Sequence, residues 1–258
     1  MEQDTQSGHG ERPGLAAAWV SDVGRVREKN EDRLLVSLDD GLFVVSDGMG
    51  GKPAGERAAG LVVQWLPELL AELQEVLADP TPREMEVLIS DAVLKLNRRV
   101  RREGRKITQM GTMGATLAMA LARQAYFHVA HMGDSRVYLF EGRRLHQLTH
   151  DHTPIDVLIR RGAITLEQAK HHPMRGVLSR YIGMRSDPEV DVTTISWERG
   201  DRMLLCSDGL TEVVTDNHIE GIFGRQAGLL QTCQDLVKAA INTGSRDNIT
   251  VVMAENTG

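Results

Sequence analysis

The apolar run Leu42-Phe43-Val44-Val45 passes directly into Ser46-Asp47-Gly48-Met49-Gly50-Gly51. A run of this length, rich in aromatic and β-branched residues, suits a buried strand. The acid and three glycines that follow place a carboxylate and a closely approachable backbone at the rim of a sheet. The pattern returns where Met203-Leu204-Leu205-Cys206 leads into Ser207-Asp208-Gly209, and again at Arg246-Asp247-Asn248 just before Ile249-Thr250-Val251-Val252. Acids at three strand borders, so far apart in the chain, share a purpose only if the fold gathers them.

A chain of 258 residues with 41% hydrophobic content can bury one large core, and a single domain over residues 14–256 is expected. Thirty basic against 36 acidic residues, a net charge of -6, leave no electrostatic footprint for nucleic acid or an anionic membrane. No apolar stretch approaches the roughly 20 residues needed to cross a bilayer, and the polar N-terminus does not resemble a signal peptide. A soluble, cytoplasmic, monomeric protein is therefore expected. Two cysteines, Cys206 and Cys233, are too few for a disulfide framework. Cys233 shares a helical face with Leu229, Leu230, Leu236, Val237 and Ala240 and reads as a buried structural thiol.

Residues 1–13 carry almost nothing that could pack and read as a disordered tail. Short strands are expected at 15–20, 33–38 and 42–45, the last two joined by the hairpin turn Asp39-Asp40-Gly41. Residues 56–77 read as a long helix with a kink or break at Pro67. A second helix opens at the capping box Thr81-Pro82-Arg83-Glu84 and carries one apolar stripe from Met85 to Val100, with a solvated basic end at 98–105. Strands at 115–122, 125–131 and 137–141 follow, with Asp134 in a Gly-Asp-Ser-Arg turn that could equally be simple turn chemistry. Residues 150–185 lose the strand pattern and read as a flap with two short helices at 154–161 and 165–170. Its histidines His150, His152, His171 and His172 lack zinc-motif spacing and read as capping and packing groups. A strand at 203–206, helices at 211–223 and 227–242 and a strand at 249–253 complete the chain.

Between the first strand and the hairpin lies Arg27-Glu28-Lys29-Asn30-Glu31-Asp32. In an extended segment Glu31 and Asp32 face opposite ways, so one would touch an ion directly and the other through water. If the fold brings Glu31, Asp32, Asp47, Asp134, Asp208 and Asp247 together, repulsion of about 4 kcal/mol per pair at about 4 Å demands protons or cations. Oxygen donors without cysteine or suitably spaced histidine select magnesium or manganese. Two such ions could share a bridging water and clamp an in-line displacement at phosphorus. Arg27, if directed inward, offers a bidentate contact to a phosphate dianion.

These residues carry a resemblance. Arg27 with Asn30-Glu31-Asp32, then 46–51, 110–116, Gly133-Asp134-Ser135-Arg136, Leu148-Thr149 with Asp151-His152, Ser207-Asp208-Gly209-Leu210 and 246–250 resemble, in order and spacing, the motifs of the PPM, or PP2C, metal-dependent protein serine/threonine phosphatases. The likeness is to the compact bacterial branch and covers about residues 15–254. It implies an α+β fold, a sandwich of two antiparallel β-sheets flanked by pairs of α-helices in four αββα layers. It also implies two Mn2+ or Mg2+ ions. Asp47 would bridge them, Asp208 and Asp247 would complete one, and Glu31 with the Gly48 carbonyl the other. Asp32 would orient the attacking water or hydroxide, Arg27 would bind the substrate phosphate, and Asp134 with Asp208 would form a third, weaker metal site.

The implied activity is hydrolysis of phosphoserine and phosphothreonine on phosphorylated proteins, opposing a cognate serine/threonine kinase. Two departures stand out. Met49 replaces a histidine that serves some eukaryotic relatives as proposed general acid, which would leave proton donation to water on the third ion. Glu212 stands where a shorter acid is expected. Flap residues Arg175, Arg180 and Arg185 either contact substrate or are solvated charges. A silent phosphoprotein-binding domain and a two-metal esterase for small phosphate esters are the competing readings. Loss of Asp47, Asp208 or Asp247 would mark the first; a base-binding signature or basic groove would mark the second.

Overall fold

A computed structural model describes residues 5–50, 54–74, 79–107 and 113–258. Residues 1–4 of the expected tail, Gly51, residues 110–112 and the expected end of the first helix at 75–77 lie outside the described residues. Six strands form one antiparallel sheet, in the order β1 (Gln6–Arg12), β2 (Leu15–Asp22), β13 (Ile249–Asn256), β12 (Arg202–Cys206), β9 (Arg136–Glu141) and β10 (Arg144–Gln147). Five form a second, in the order β11 (Asp191–Ser196), β8 (Tyr126–Met132), β7 (Leu117–Arg123), β4 (Leu42–Ser46) and β3 (Arg33–Ser37). Two short strands, β5 (Gly48–Met49) and β6 (Gly114–Ala115), pair beside them.

Side-chain alternation sorts these strands into layers. Phe43 and Val45 of β4 pack with Val129, Leu139, Leu205 and Val252 between the two sheets. Their neighbours Leu42 and Val44 belong to a different cluster, under α1 (Ala54–Gln74) and α2 (Pro82–Ile107). On the other side, Val20, Leu204, Val251 and Met253 pack under α5 (Asp208–Thr211), α6 (Asp216–Phe223) and α7 (Leu229–Thr243). Central strands covered on both faces explain the continuous apolar runs. The result is the four-layer αββα sandwich that the resemblance implies. Cys233 is fully buried in α7. Among the described residues no helix is long and apolar enough to cross a membrane.

Between β10 and β11 lie α3 (Pro154–Arg160) and α4 (Leu166–Ala169), capped by Thr153 and by a Thr165–Gln168 capping box. Neither helix buries a residue, so this flap has no core of its own. Its ends are held instead. The Arg136 guanidinium grips Asp151 bidentately at 2.7 Å, and the Ala115 and Ile182 backbones exchange hydrogen bonds of 3.0 and 2.8 Å.

Four local expectations change. Residues 6–12 are an edge strand rather than a tail, paired with β2 from Gln6↔Ser21 to Arg12↔Leu15. β1 is mostly exposed, because its order comes from backbone pairing, and Gly8 admits the Trp19 indole to a place a Cβ would fill. Helix α1 runs through Pro67. The helix expected at 211–223 is two, α5 and α6, separated by a turn. β10 was not expected; its alternation is exposed, half-buried, exposed, exposed.

If β1 belongs to the fold, deleting residues 1–12 lowers the Tm by a few degrees, each kcal/mol lost counting for roughly 2–4 °C in a chain this long. An unchanged melting curve would return the segment to the status of a tail.

Candidate functional site

The acids singled out in the sequence meet at one end of the sandwich. Asp47 leaves β4 with its backbone locked to the segment after β6: the Thr116 hydroxyl accepts the Asp47 N–H at 2.8 Å, and Thr116 N–H donates to the Asp47 carbonyl at 2.8 Å. Thr116 also shares a 2.6 Å hydrogen bond with Ser135, which ties Asp47 to the turn carrying Asp134. Asp208 opens α5 beyond β12. Its neighbour Ser207 bonds across to β13, accepting Thr250 N–H at 3.0 Å, and donates its own hydroxyl to Asp32 Oδ2 at 2.8 Å.

The segment 23–32 is an irregular loop rather than a strand, so the alternation argument does not apply to it. Asn248 gives the loop its shape. Its amide donates to the Val23 and Lys29 carbonyls at 2.9 and 3.0 Å, and its oxygen accepts Glu31 N–H at 2.8 Å. Glu31 and Asp32 still diverge. The buried Asp32 carboxylate turns to Ser207, whereas Glu31 Oε2 and the Gly48 carbonyl oxygen lie 2.5 and 2.8 Å from where a Cβ on Gly55 would stand. Glycine at 55 is what lets these two oxygens approach together. Asp247 caps its own chain at Asn248 N–H, 2.8 Å, and pairs with Arg27 at 2.6 Å. The Arg27 side chain is 53% exposed, and its charge also acts on Asp47 and Glu31.

Crowding is visible in proton affinity. Burial, followed by the charges of Asp32, Asp208, Asp134 and Asp247, pushes Asp47 well above the carboxylate range. Burial, then Asp134, Glu212 and Asp247, does the same to Asp208. Burial raises Asp134 to about 7, with Asp151 adding to it. Asp32 rises to about 6 through burial, against the hydrogen bonds that favour its charged form. Two oxygens in this cluster, Asp32 Oδ1 and Asp208 Oδ1, are buried without a hydrogen-bond partner. An oxygen-only donor set with orphaned carboxylate oxygens fits hard divalent cations.

The flap borders the cluster. Asp134, Asp208 and Glu212 line a cavity of about 120 Å³ with Arg175 and Gly176 of the flap. Glu212 is held by Arg175 at 3.0 Å. Arg180 pairs with Asp191 at 2.8 Å and Glu189 at 3.1 Å, and the Arg185 carbonyl accepts from Arg101. The basic end of α2 is solvated as expected, Arg98, Arg99, Arg102 and Arg105 being exposed even though Arg98 pairs with Asp187 and Arg99 lies over Trp65. Sequence reasoning missed Thr116, Ser135 and Asn248 as organisers of the site. Their place inside the matched motifs was the available signal.

A sandwich end lined by buried carboxylates is the architecture of a site for hard divalent cations. The chain belongs to the protein phosphatase 2C family, whose sequence profile matches residues 25–244. It is 33% identical over 244 residues to the serine/threonine phosphatase stp of Listeria monocytogenes, covering 93% of this chain and 96% of that one. Identity to the protein phosphatase PhpP of Streptococcus pneumoniae is 31% over 242 residues, again 93% of this chain and 96% of the relative. The Mycobacterium tuberculosis serine/threonine phosphatase PstP/Ppp superposes with a TM-score of 0.78 at 32% identity, covering 95% and 99% of the two chains. A PstP catalytic domain solved with two manganese ions gives 0.74 at 31% identity, covering 93% and 97%. Metal dependence is a property of this family.

Without metal, Asp134 holds its proton more tightly folded than unfolded. The stability it contributes is full below the unfolded value of 3.8 and is lost as pH rises through about 7. Asp134→Asn has no charge to develop. In excess chelator, the Tm of this variant relative to wild type is therefore expected to rise between about pH 5 and about pH 8, by about 2–4 °C per kcal/mol of burial and repulsion cost removed. A pH-independent difference would mean that neither burial nor neighbouring charge raises the proton affinity of Asp134 in the folded protein.

Proposed function

We propose that the protein hydrolyses phosphoserine and phosphothreonine on proteins with divalent metal ions held by its acidic cluster. The observation that carries this is the buried convergence of Asp32, Asp47, Asp134 and Asp208, two of them with orphaned oxygens, in a chain of the protein phosphatase 2C family. Asp47 serves two ions. Asp208 and Asp247 complete one set of oxygens, and Glu31 with the Gly48 carbonyl the other. Asp134 and Asp208 serve a third, weaker position. Manganese and magnesium both suit such ligands, and the two manganese ions in the PstP relative support a pair. When bound, these ions supply Lewis-acid activation of water and neutralise charge on the phosphoryl oxygens.

The chain's own groups do the rest. Asp32, with Oδ2 occupied by the Ser207 hydroxyl and Oδ1 open, orients a water. Its affinity near 6 also lets it take a proton close to neutrality. Arg27 stands at the rim, half exposed, where its fork can grip the phosphate dianion. Met49, on β5 next to Gly48, cannot transfer a proton, so the leaving serine or threonine oxygen takes its proton from water in the Asp134–Asp208 region. Solvent exposure of the flap suits a protein substrate rather than a small enclosed one. The protein is read as a cytoplasmic monomer that opposes a serine/threonine kinase.

The test is phosphate release from a phosphothreonine peptide with manganese, with excess chelator, and in Asp208→Asn. Release is expected only with manganese and wild type, with a loss of at least about a hundredfold in the variant, the size of a lost electrostatic stabiliser. A wild type that binds manganese but releases no phosphate with manganese or magnesium would favour the silent phosphoprotein-binding reading. Separately, Arg27→Ala should lower kcat/KM by roughly 10- to 150-fold, the worth of a charge-assisted contact of about 1.5–3 kcal/mol. A variant with wild-type kcat/KM would remove Arg27 from phosphate binding.

A further inference from the structure

Away from the acidic cluster, His131, His152 and Asp191 bring three ligand atoms within 4.8 Å of one another. They come from separate parts of the chain. His131 near the end of β8 and Asp191 at the start of β11 are direct cross-strand partners, which places both side chains on one face of the sheet. His152 descends on them from the segment before α3, its ring 4.2 Å from that of His131.

The hydrogen bonds define which nitrogens are free. His131 Nε2–H donates to the Gly133 carbonyl at 3.1 Å, so Nδ1 is left as a bare acceptor. That nitrogen is buried, in a side chain 1% exposed, and has no partner. His152 Nδ1 accepts Gly133 N–H at 3.2 Å, and its Nε2–H donates to Asp191 Oδ2 at 3.0 Å. Arg180, from the flap, already places a cation here, with Nη1 at 2.8 Å from Asp191 and 3.4 Å from His152 Nε2. A cavity of about 340 Å³ bordered by His131, Thr149, His150, Glu189, Asp191 and Thr193 gives access. Burial holds His131 down to about 4, and the bond from His152 holds Asp191 at about 2, so both are in their ligand form at neutral pH.

We propose that His131, His152 and Asp191 form a second, peripheral site for one borderline divalent ion of the zinc type, and that filling it loosens the turn that carries Asp134. Two imidazoles and a carboxylate select zinc over magnesium, the reverse of the oxygen-only cluster, and leave a fourth position open to the cavity. The ion takes His131 Nδ1, His152 Nε2 and an Asp191 oxygen. Arg180 yields Asp191 but keeps Glu189. The proton of His152 moves from Nε2 to Nδ1, where it faces the Gly133 N–H, and two donors cannot bond. Gly133 loses its acceptor one residue before Asp134. The site thus inhibits, acting through the backbone rather than by displacing a catalytic ion.

Manganese-loaded wild type, Asp191→Asn and Asp208→Asn are exposed to zinc, dialysed, and their bound zinc counted. Wild type is expected to retain one zinc per chain more than Asp191→Asn, and Asp208→Asn to keep that ion. Equal counts in wild type and Asp191→Asn, or its loss in Asp208→Asn, would overturn the site. His131→Asn, accepted only if its melting curve shows a folded protein, should repeat the Asp191→Asn count; retention of the ion would also overturn it. The inhibitory effect rests on the role given above to Asp134, so it is read separately. At saturating manganese, zinc should lower wild-type kcat about fivefold or more and change that of Asp191→Asn less than about twofold. Equal inhibition of both would overturn the coupling while leaving the count to judge the site.

Discussion

The burial of several neighbouring carboxylates, costly first through desolvation and then through mutual repulsion, is the constraint around which the molecule is arranged. Asp32, Asp47, Asp134 and Asp208 all bind protons more tightly than free carboxyls do, and desolvation is the largest cause in each. Such a cluster survives metal-free only if the surrounding fold is stiff enough to hold it. The stiffness comes from three apolar layers in which each central strand is packed on both faces. The hydroxyls and amides of Thr116, Ser135, Ser207 and Asn248 then fix the backbone around the acids. These polar groups are themselves satisfied, while Asp32 Oδ1 and Asp208 Oδ1 are not. That contrast separates the scaffold from the atoms intended for a ligand.

The flap is built on the opposite principle. Its helices are capped but bury nothing, so its position depends on contacts at its edges, ion pairs and the backbone hydrogen bonds between Ala115 and Ile182. Arg175 reaches Glu212 beside the acidic cluster, and Arg136 holds Asp151 at the flap's entry. His152, next to Asp151, bonds to Gly133, one residue from Asp134. The helices of such a segment draw little local stability from apolar burial. The longer side chain at Glu212 acquires a structural meaning here, because it spans the gap to Arg175.

Many of the elements were legible from pattern alone. The run from Leu42 to Val45, the capped stripe of α2 and the short apolar strands marked individual strands and helices, while their arrangement as two sheets with helices outside came from the resemblance that the ordered motifs carry. β1 was not legible, because a strand ordered by backbone pairing at an edge carries no hydrophobic signature. The shape of the loop at 23–32 is not legible for a related reason: it is imposed by Asn248, more than 200 residues away. The four residues that Asp47, Asp208, Asp134 and Asp32 represent were individually ambiguous in sequence, and their order along the chain made them specific.

By itself the sequence determined most of the elements and, through the ordered motifs and the resemblance they carry, the family, its layer arrangement and the candidate acids, because periodicity and motif order are written along the chain. Tertiary structure decided which oxygens are free, which carboxylates Arg27 and Arg175 pair with, and that His131, His152 and Asp191 stand together. Hydrogen bonds to distant backbone decide the first, ion pairs the second and cross-strand register the third. Each joins residues that no spacing in the chain relates, which is why only the folded molecule contains them.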